Sequence, residues 1–162
     1  MNTAPIKVGI SDLNVVRSPG ALMTYALGSC VGICLYDRIN KVAGLSHIML
    51  PSSTASHGPA QPYRFADTAA GILVQKMIAI GANKRLLTAK IAGGARMFAT
   101  GSNSALSNIG QRNVMAVHEA LAKLGIPIIA EDTGKDYGRT LYFSAEDGIM
   151  VIKSAKCGES KW

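Results

Sequence analysis

Short runs of alternating apolar and polar positions fill the first third of this 162-residue chain, and two later stretches repeat their apolar residues every three or four positions. Ile6, Val8 and Ile10 alternate with Lys7 and Gly9, the period-two pattern of a strand with one polar face. Asn14 to Val16 either continues that strand or begins a partner, Ser18-Pro19-Gly20 reads as a turn, and Ala21 to Leu27 is a second extended run. Val31 to Tyr36 predicts a buried strand, with Ile33 and Leu35 on one side and Cys34 and Tyr36 on the other, and Val42 to Leu50 predicts another. There is no room between these strands for crossover helices, so they predict antiparallel hairpins.

Pro51 to Pro62 is polar and rich in Ser, Gly and Pro. It is a long loop, either a surface excursion or a lid or substrate-contact segment beside His47. Tyr63 to Ile80 predicts a helix, since Phe65, Ala69, Ile72, Leu73, Met77 and Ile80 share a face and Gly81 stands at C′. Leu86 to Ile91 returns to strand. A polar stretch from Ser102 to Arg112 leads into a second helix, which begins near Asn108 or Asn113 and runs to Leu124 with Val114, Val117, Leu121 and Leu124 on one face. Pro127 to Glu131, Arg139 to Phe143 and Ile149 to Ile152 predict three more strands, joined by turns at Asp132–Gly138 and Ala145–Gly148. The tail from Ser154 is polar, and residues 155–162 are expected to fray. Two amphipathic helices and about eight short strands predict an α/β (α+β) fold, a layered β-sheet core flanked by two main helices. No linker or repeat divides the chain, so residues 1–162 read as a single domain.

Composition narrows the class. A hydrophobic content of 48% with 17 glycines suits a compact, turn-rich protein and excludes a disordered one. The net charge of +7 is spread evenly: residues 1–81 hold six Lys or Arg against three Asp or Glu, and the rest hold eleven against seven. Without a basic block, a base-reading helix or a zinc finger, no nucleic-acid partner is expected. Met1 to Lys7 lacks the order of a signal peptide, and no apolar run approaches the ~18 residues of a membrane span. Three cysteines, Cys30, Cys34 and Cys157, in a chain large enough to need no staples favour reduced thiols and a cytoplasmic location.

Ala92-Gly93-Gly94-Ala95 lacks the full pattern of either phosphate-binding glycine motif, and close backbone packing is the commoner use of such a pair. His47, His57 and His118 with Cys30 and Cys34 fall into no metal-ligand spacing, and the two cysteines miss the redox spacing, so neither metal nor cofactor is expected. His118 lies beside Val117 at the edge of the second helix's apolar stripe. Gly-x-Ser-x-Gly is absent, and Gly28-Ser29-Cys30 puts cysteine where reactivity is expected.

Cys30 sits between Gly28 and Gly32, immediately before a hydrophobic strand. It reads either as one more small buried hydrophobe or as a nucleophile in a tight turn, where the glycines permit a sharp bend and close approach. A free thiol is only about 3% thiolate at neutral pH, so a cysteine nucleophile needs a basic partner. His47, 17 residues on, could take the thiol proton and return it to a leaving group. His47 among Leu45, Ile48, Met49 and Leu50 fits a satisfied core histidine as well. Thr24, six residues before Cys30, has a hydroxyl that could hold the imidazole or fix the turn.

The long motifs narrow these alternatives. Thr24-Tyr25-Ala26-Leu27-Gly28-Ser29-Cys30-Val31-Gly32, Leu35-Tyr36-Asp37 and Gly44-Leu45-Ser46-His47-Ile48-Met49-Leu50-Pro51 resemble the CheD family, the chemoreceptor glutamine deamidases of bacterial chemotaxis. The likeness continues through Lys90 to Ala95, Ile109-Gly110-Gln111-Arg112-Asn113, Glu131 to Gly134 and Tyr137-Gly138-Arg139. It departs from the family at Lys135, where a second glycine is common. The resemblance implies a catalytic Cys30, His47 as its base and Thr24 completing the triad. It also implies a fold similar to the deamidating domain of cytotoxic necrotizing toxins. The implied reaction is hydrolysis of glutamine side chains in the cytoplasmic helical region of methyl-accepting chemoreceptors. The alternative is a regulatory binding module that stimulates a CheC-type phosphatase, with or without catalysis. A cysteine protease is a third class, separated from deamidation by whether the substrate backbone is cut.

Overall fold

The computed structural model describes residues 4–55, 61–97 and 108–162. In chain order the elements are β1 (Ile6–Lys7), β2 (Asp12–Arg17), β3 (Ala21–Leu27), β4 (Val31–Asp37), β5 (Val42–Ile48), α1 (Ala66–Ala79), β6 (Leu87–Gly93), α2 (Ile109–Lys123), β7 (Ile128–Thr133), β8 (Arg139–Ser144), β9 (Met150–Ser154) and β10 (Gly158–Lys161). Among the described residues they form two five-stranded sheets, ordered β1-β3-β8-β9-β10 and β2-β5-β4-β6-β7.

Every residue of β4 and β5 is buried, because the sheet they centre is covered on both faces. Val31, Ile33 and Leu35 of β4 belong to one core with Leu73 and Met77 of α1 and Val117 and Leu121 of α2. Cys34 and Tyr36, on the opposite face, belong to a second core with Leu22, Leu27, Leu141 and Phe143 of the other sheet. The result is three layers, sheet on sheet on a pair of helices. This is the mixed α/β arrangement with two main helices that the apolar patterning predicts. Gly44 sets the spacing of two layers: a Cβ there would meet the Met77 sulfur at 2.7 Å and the Leu73 side chain at 2.9 Å.

Partners were less legible than faces. Of the hairpins expected in the first fifty residues, β4–β5 forms. β2 pairs antiparallel with β5, β3 with the distant β8, and β1 runs parallel to β3. Asn14 to Val16 therefore begins a partner in the other sheet. α1 starts at Ala66, three residues later than its apolar spacing suggests, because Phe65 is extended and bridges Leu50. The Ala66 N–H then donates to the Leu50 carbonyl at 3.0 Å. Residues 155–162, expected to fray, instead contain β10, which pairs along β9. Trp162 exchanges two backbone bonds with Met150, at 2.8 and 3.0 Å. Side-chain polarity says little here, since an edge strand can be held by its backbone ladder with little burial.

Candidate active site

Thr24 lies on β3 just before a register shift against β8 that spans Thr24 to Leu27. Its hydroxyl is 2.7 Å from the Val8 carbonyl and 2.6 Å from His47 Nδ1. Val8 is itself held by its N–H to the Met23 carbonyl at 2.8 Å. A carbonyl can only accept, so the one hydroxyl proton of Thr24 goes to Val8 and its lone pair accepts from Nδ1–H. That fixes the tautomer: the Nε2 of His47 carries a free lone pair.

His47 stands near the end of β5, between β2 and β4. Alternation turns Ala43 and Leu45 toward the sheet–sheet core and Ile48 toward the helices, and His47 shares the first face. Its side chain is buried, and Nε2 has no partner among the described residues. The residue opposite His47 on β4 is Gly32, where a Cβ would meet the Leu141 side chain at 3.0 Å. Cys30, two residues earlier, packs against the same sheet–sheet core. It lies one residue before the last β4–β5 pair, Val31 with Ile48, the residue that follows His47.

The turn at Cys30 is gripped through its carbonyls. Gly28 O accepts from Ala95 N–H at 2.8 Å, Ser29 O from Asn113 Nδ2 at 2.9 Å, and Cys30 O from Gly94 N–H at 2.8 Å. Gly93 has φ of +112°, and a Cβ there would collide with the Cys30 carbonyl oxygen. The glycine pair thus serves close backbone packing, the commoner use expected of it. The residue's own backbone N–H favours the Cys30 thiolate.

Burial pushes the half-buried Cys30 thiol up, only partly opposed by that N–H, and it pushes His47 down to about 4. Thiol and imidazole are therefore both neutral at pH 7. A pH dependence of stability follows. Between pH 4 and 6.5 the unfolded chain binds a proton at residue 47 and the folded chain does not, because the folded value lies below the ordinary one. Stability from this residue is present above about pH 6.5 and is lost as pH falls through about 4, by on the order of 3 kcal/mol. His47→Gln should flatten that part of the slope when denaturant unfolding is compared at pH 4.5 and pH 7.

Other expectations fall into place more loosely. His118 is exposed and pairs with Glu131 at 2.9 Å, away from the thiol, as its edge position suggested. Ser52 and Ser53 of the long loop are tied to α1, with Ser53 N–H and Oγ both 3.0 Å from the Asp67 carboxylate. Ser52 borders a groove of about 570 Å³ between α1 and α2 lined by Pro51, Asp67, Arg112, Met115 and Glu119. Residues 56–60 of that loop, His57 included, lie outside the described residues, as do 98–107. Asn113 was singled out only as the last residue of a family-like motif. It is buried on α2, and its amide also donates to the Met49 carbonyl at 3.0 Å. A polar residue at i+3 of Gly110 and i−4 of Val117, on the buried face, is the signal that would have flagged it.

Comparison with known proteins adds an independent line. A family model described as CheD chemotactic sensory transduction matches residues 49–154. Among similar proteins is a probable chemoreceptor glutamine deamidase CheD of Caldanaerobacter subterraneus subsp. tengcongensis, 53% identical over 154 residues that cover 95% of each chain. Two others of the same description, from Clostridium botulinum strain Alaska E43 and Clostridium novyi strain NT, are each 51% identical over 158 residues, covering 98% of each chain. Identity at that level over nearly the full length, with a matching model over most of the chain, leaves one assignment: the chain belongs to the CheD family of chemotactic sensory transduction proteins.

Proposed function

We propose that this protein is a protein-glutamine deamidase of the chemotaxis system, hydrolysing glutamine side chains of chemoreceptors to glutamate and ammonia. As a member of its family it is an amide hydrolase. The observation that carries the reading is the pair of bonds at Thr24, which leaves the Nε2 of a buried, neutral His47 as an unoccupied base on the face shared with Cys30.

His47 Nε2 takes the Cys30 thiol proton as Sγ attacks the glutamine amide carbon. The carbonyl oxygen becomes an oxyanion, which the Cys30 N–H stabilises. Collapse breaks the C–N bond, and the proton on Nε2 goes to the departing amine, giving ammonia and a thioester. Water gives a proton to Nε2 and its oxygen to the thioester carbon. The C–S bond breaks, the proton returns to sulfur, and glutamate is released. Thr24 keeps the imidazole in one tautomer throughout and stabilises its protonated form.

The unit that carries this chemistry is residues 1–162, a CheD-like deamidase domain in the cytoplasm; the two sheets and two main helices among its described residues support its likeness to the toxin deamidase domain. The substrate is the cytoplasmic helical region of methyl-accepting chemoreceptors. A CheC-type phosphatase as a second partner belongs to the same reading, and co-elution tests it. No helix among the described residues is long and apolar enough to cross a membrane.

Glutamine holds its carbonyl one methylene farther from the backbone than asparagine, and it reaches a recessed sulfur while the receptor backbone stays outside. A displacement near 1 Å can cost on the order of 10²-fold in rate. The comparison to make is kcat/KM on a receptor cytoplasmic fragment, on the same fragment with its target glutamine changed to asparagine, and on free glutamine. The intact fragment should be preferred by at least that factor over both, since free glutamine lacks the remote contacts that orient the amide. Comparable values for all three would remove the proposal of a recessed, docking-dependent site.

A further inference from the structure

The sheet stops short of the residues whose separation matters most. The last ladder pair between β4 and β5 is Val31 with Ile48. Ser29, Cys30 and Met49 lie beyond it, and no β4–β5 rung sets how far the nucleophile turn stands from the strand that carries His47. One side chain from another layer bridges that gap. Asn113 of α2, fully buried, donates from Nδ2 to the Ser29 carbonyl at 2.9 Å and to the Met49 carbonyl at 3.0 Å.

Both partners are carbonyl oxygens and only accept, so the amide orientation is unambiguous: the NH₂ faces the site's backbone, and Oδ1 points away. That Oδ1 is buried and has no partner among the described residues. An unsatisfied buried acceptor makes this residue costly as a packing group on an otherwise apolar face. The helix is seated to make the contact. One turn earlier, a Cβ at Gly110 would collide with the carbonyls of Gly94 and Ala95, the residues whose N–H groups hold Cys30 and Gly28.

We infer that Asn113 is a positioning residue for the Cys30–His47 pair, its NH₂ acting as the rung that fixes the nucleophile turn against the end of β5. The inference rests on the deamidase reading, and its test separates the two. Asn113→Asp is nearly isosteric but sets a carboxylate against two carbonyl oxygens.

The measurement is the rate at which iodoacetamide alkylates Cys30, followed by peptide mapping, in wild type, His47→Ala, Asn113→Asp and the double variant. It is joined to kcat and KM on a receptor cytoplasmic fragment. Wild type should alkylate faster than His47→Ala. Asn113→Asp should fall to the His47→Ala rate, with no further loss in the double variant. Its kcat should drop about 10²-fold with KM little changed, the mark of misplaced reacting groups rather than lost binding. If Asn113→Asp does not fold by circular dichroism, Asn113→Ala, which removes the donors without adding charge, takes its place with the same expectations. A His47-dependent rate that survives in a folded Asn113 variant with kcat unchanged overturns the assignment, and so does failure of both variants to fold. Equal alkylation of wild type and His47→Ala instead overturns the catalytic pair beneath it.

Discussion

Cys30→Ala protein should release no ammonia from a receptor fragment while keeping its fold. In the proposed reaction the sulfur is the atom that bonds to the substrate, and Cys34, four residues on, is fully buried with its thiol pushed up by burial. The other two side chains should rank below it. His47→Ala removes the proposed proton carrier for both halves of the reaction and should lower kcat by roughly 10³–10⁴-fold. Thr24→Val keeps the shape of the side chain but removes the acceptor at Nδ1, so the imidazole can adopt the wrong tautomer. A loss of about 10–10²-fold is expected. Ammonia release measured on folded protein checks all three, and a Thr24→Val loss equal to that of Cys30→Ala would contradict the roles assigned.

The second large effect concerns a residue with no chemistry of its own. Gly93 closes β6 with φ of +112°, and its missing Cβ is what lets the Cys30 carbonyl come close enough for the Gly94 N–H to hold it at 2.8 Å. In Gly93→Ala the turn must shift or the peptide must rotate. Either change removes the bond and moves the sulfur. A stability loss of about 2–4 kcal/mol is expected from combined strain and clash. At least a ~10²-fold fall in kcat/KM should accompany it. Gly125→Ala is the control, because Gly125 also has a positive φ, +72°, but open space where a Cβ would stand. Backbone strain alone costs about 1 kcal/mol there. Thermal unfolding and kcat/KM of the two variants should differ clearly, and equal effects would show that the Cys30 carbonyl does not constrain position 93.

Much of this arrangement was legible in the sequence because faces follow periodicity. The alternation along Val31 to Tyr36 assigned Ile33 and Leu35 to one core and Cys34 and Tyr36 to the other, and the structure divides them so. The three- and four-residue spacing located both helices, whose ends move where a backbone partner intervenes, as Leu50 does at the start of α1. What the pattern could not carry was pairing. β3 meets β8 more than a hundred residues away, and β10 forms from a tail with no apolar signal. The site divides along the same line. Cys30 was marked by its glycines and His47 by an odd place for a polar ring, but Thr24 was the weakest candidate. Its value comes from a contact between sheets and from the Val8 carbonyl that commits its proton. Asn113 and Gly93 act through backbone carbonyls, and no residue pattern announces which carbonyl will lie nearby.

The most direct test of a Cys30–His47–Thr24 deamidase is the intact mass of a chemoreceptor cytoplasmic fragment after incubation with the wild-type protein. The account predicts an uncut chain heavier by the amide-to-acid difference, about 1 Da for each modified glutamine, and no gain with the Cys30→Ala protein. An unchanged mass with folded wild-type protein, the same gain with Cys30→Ala, or a fragment cut in two would each contradict it.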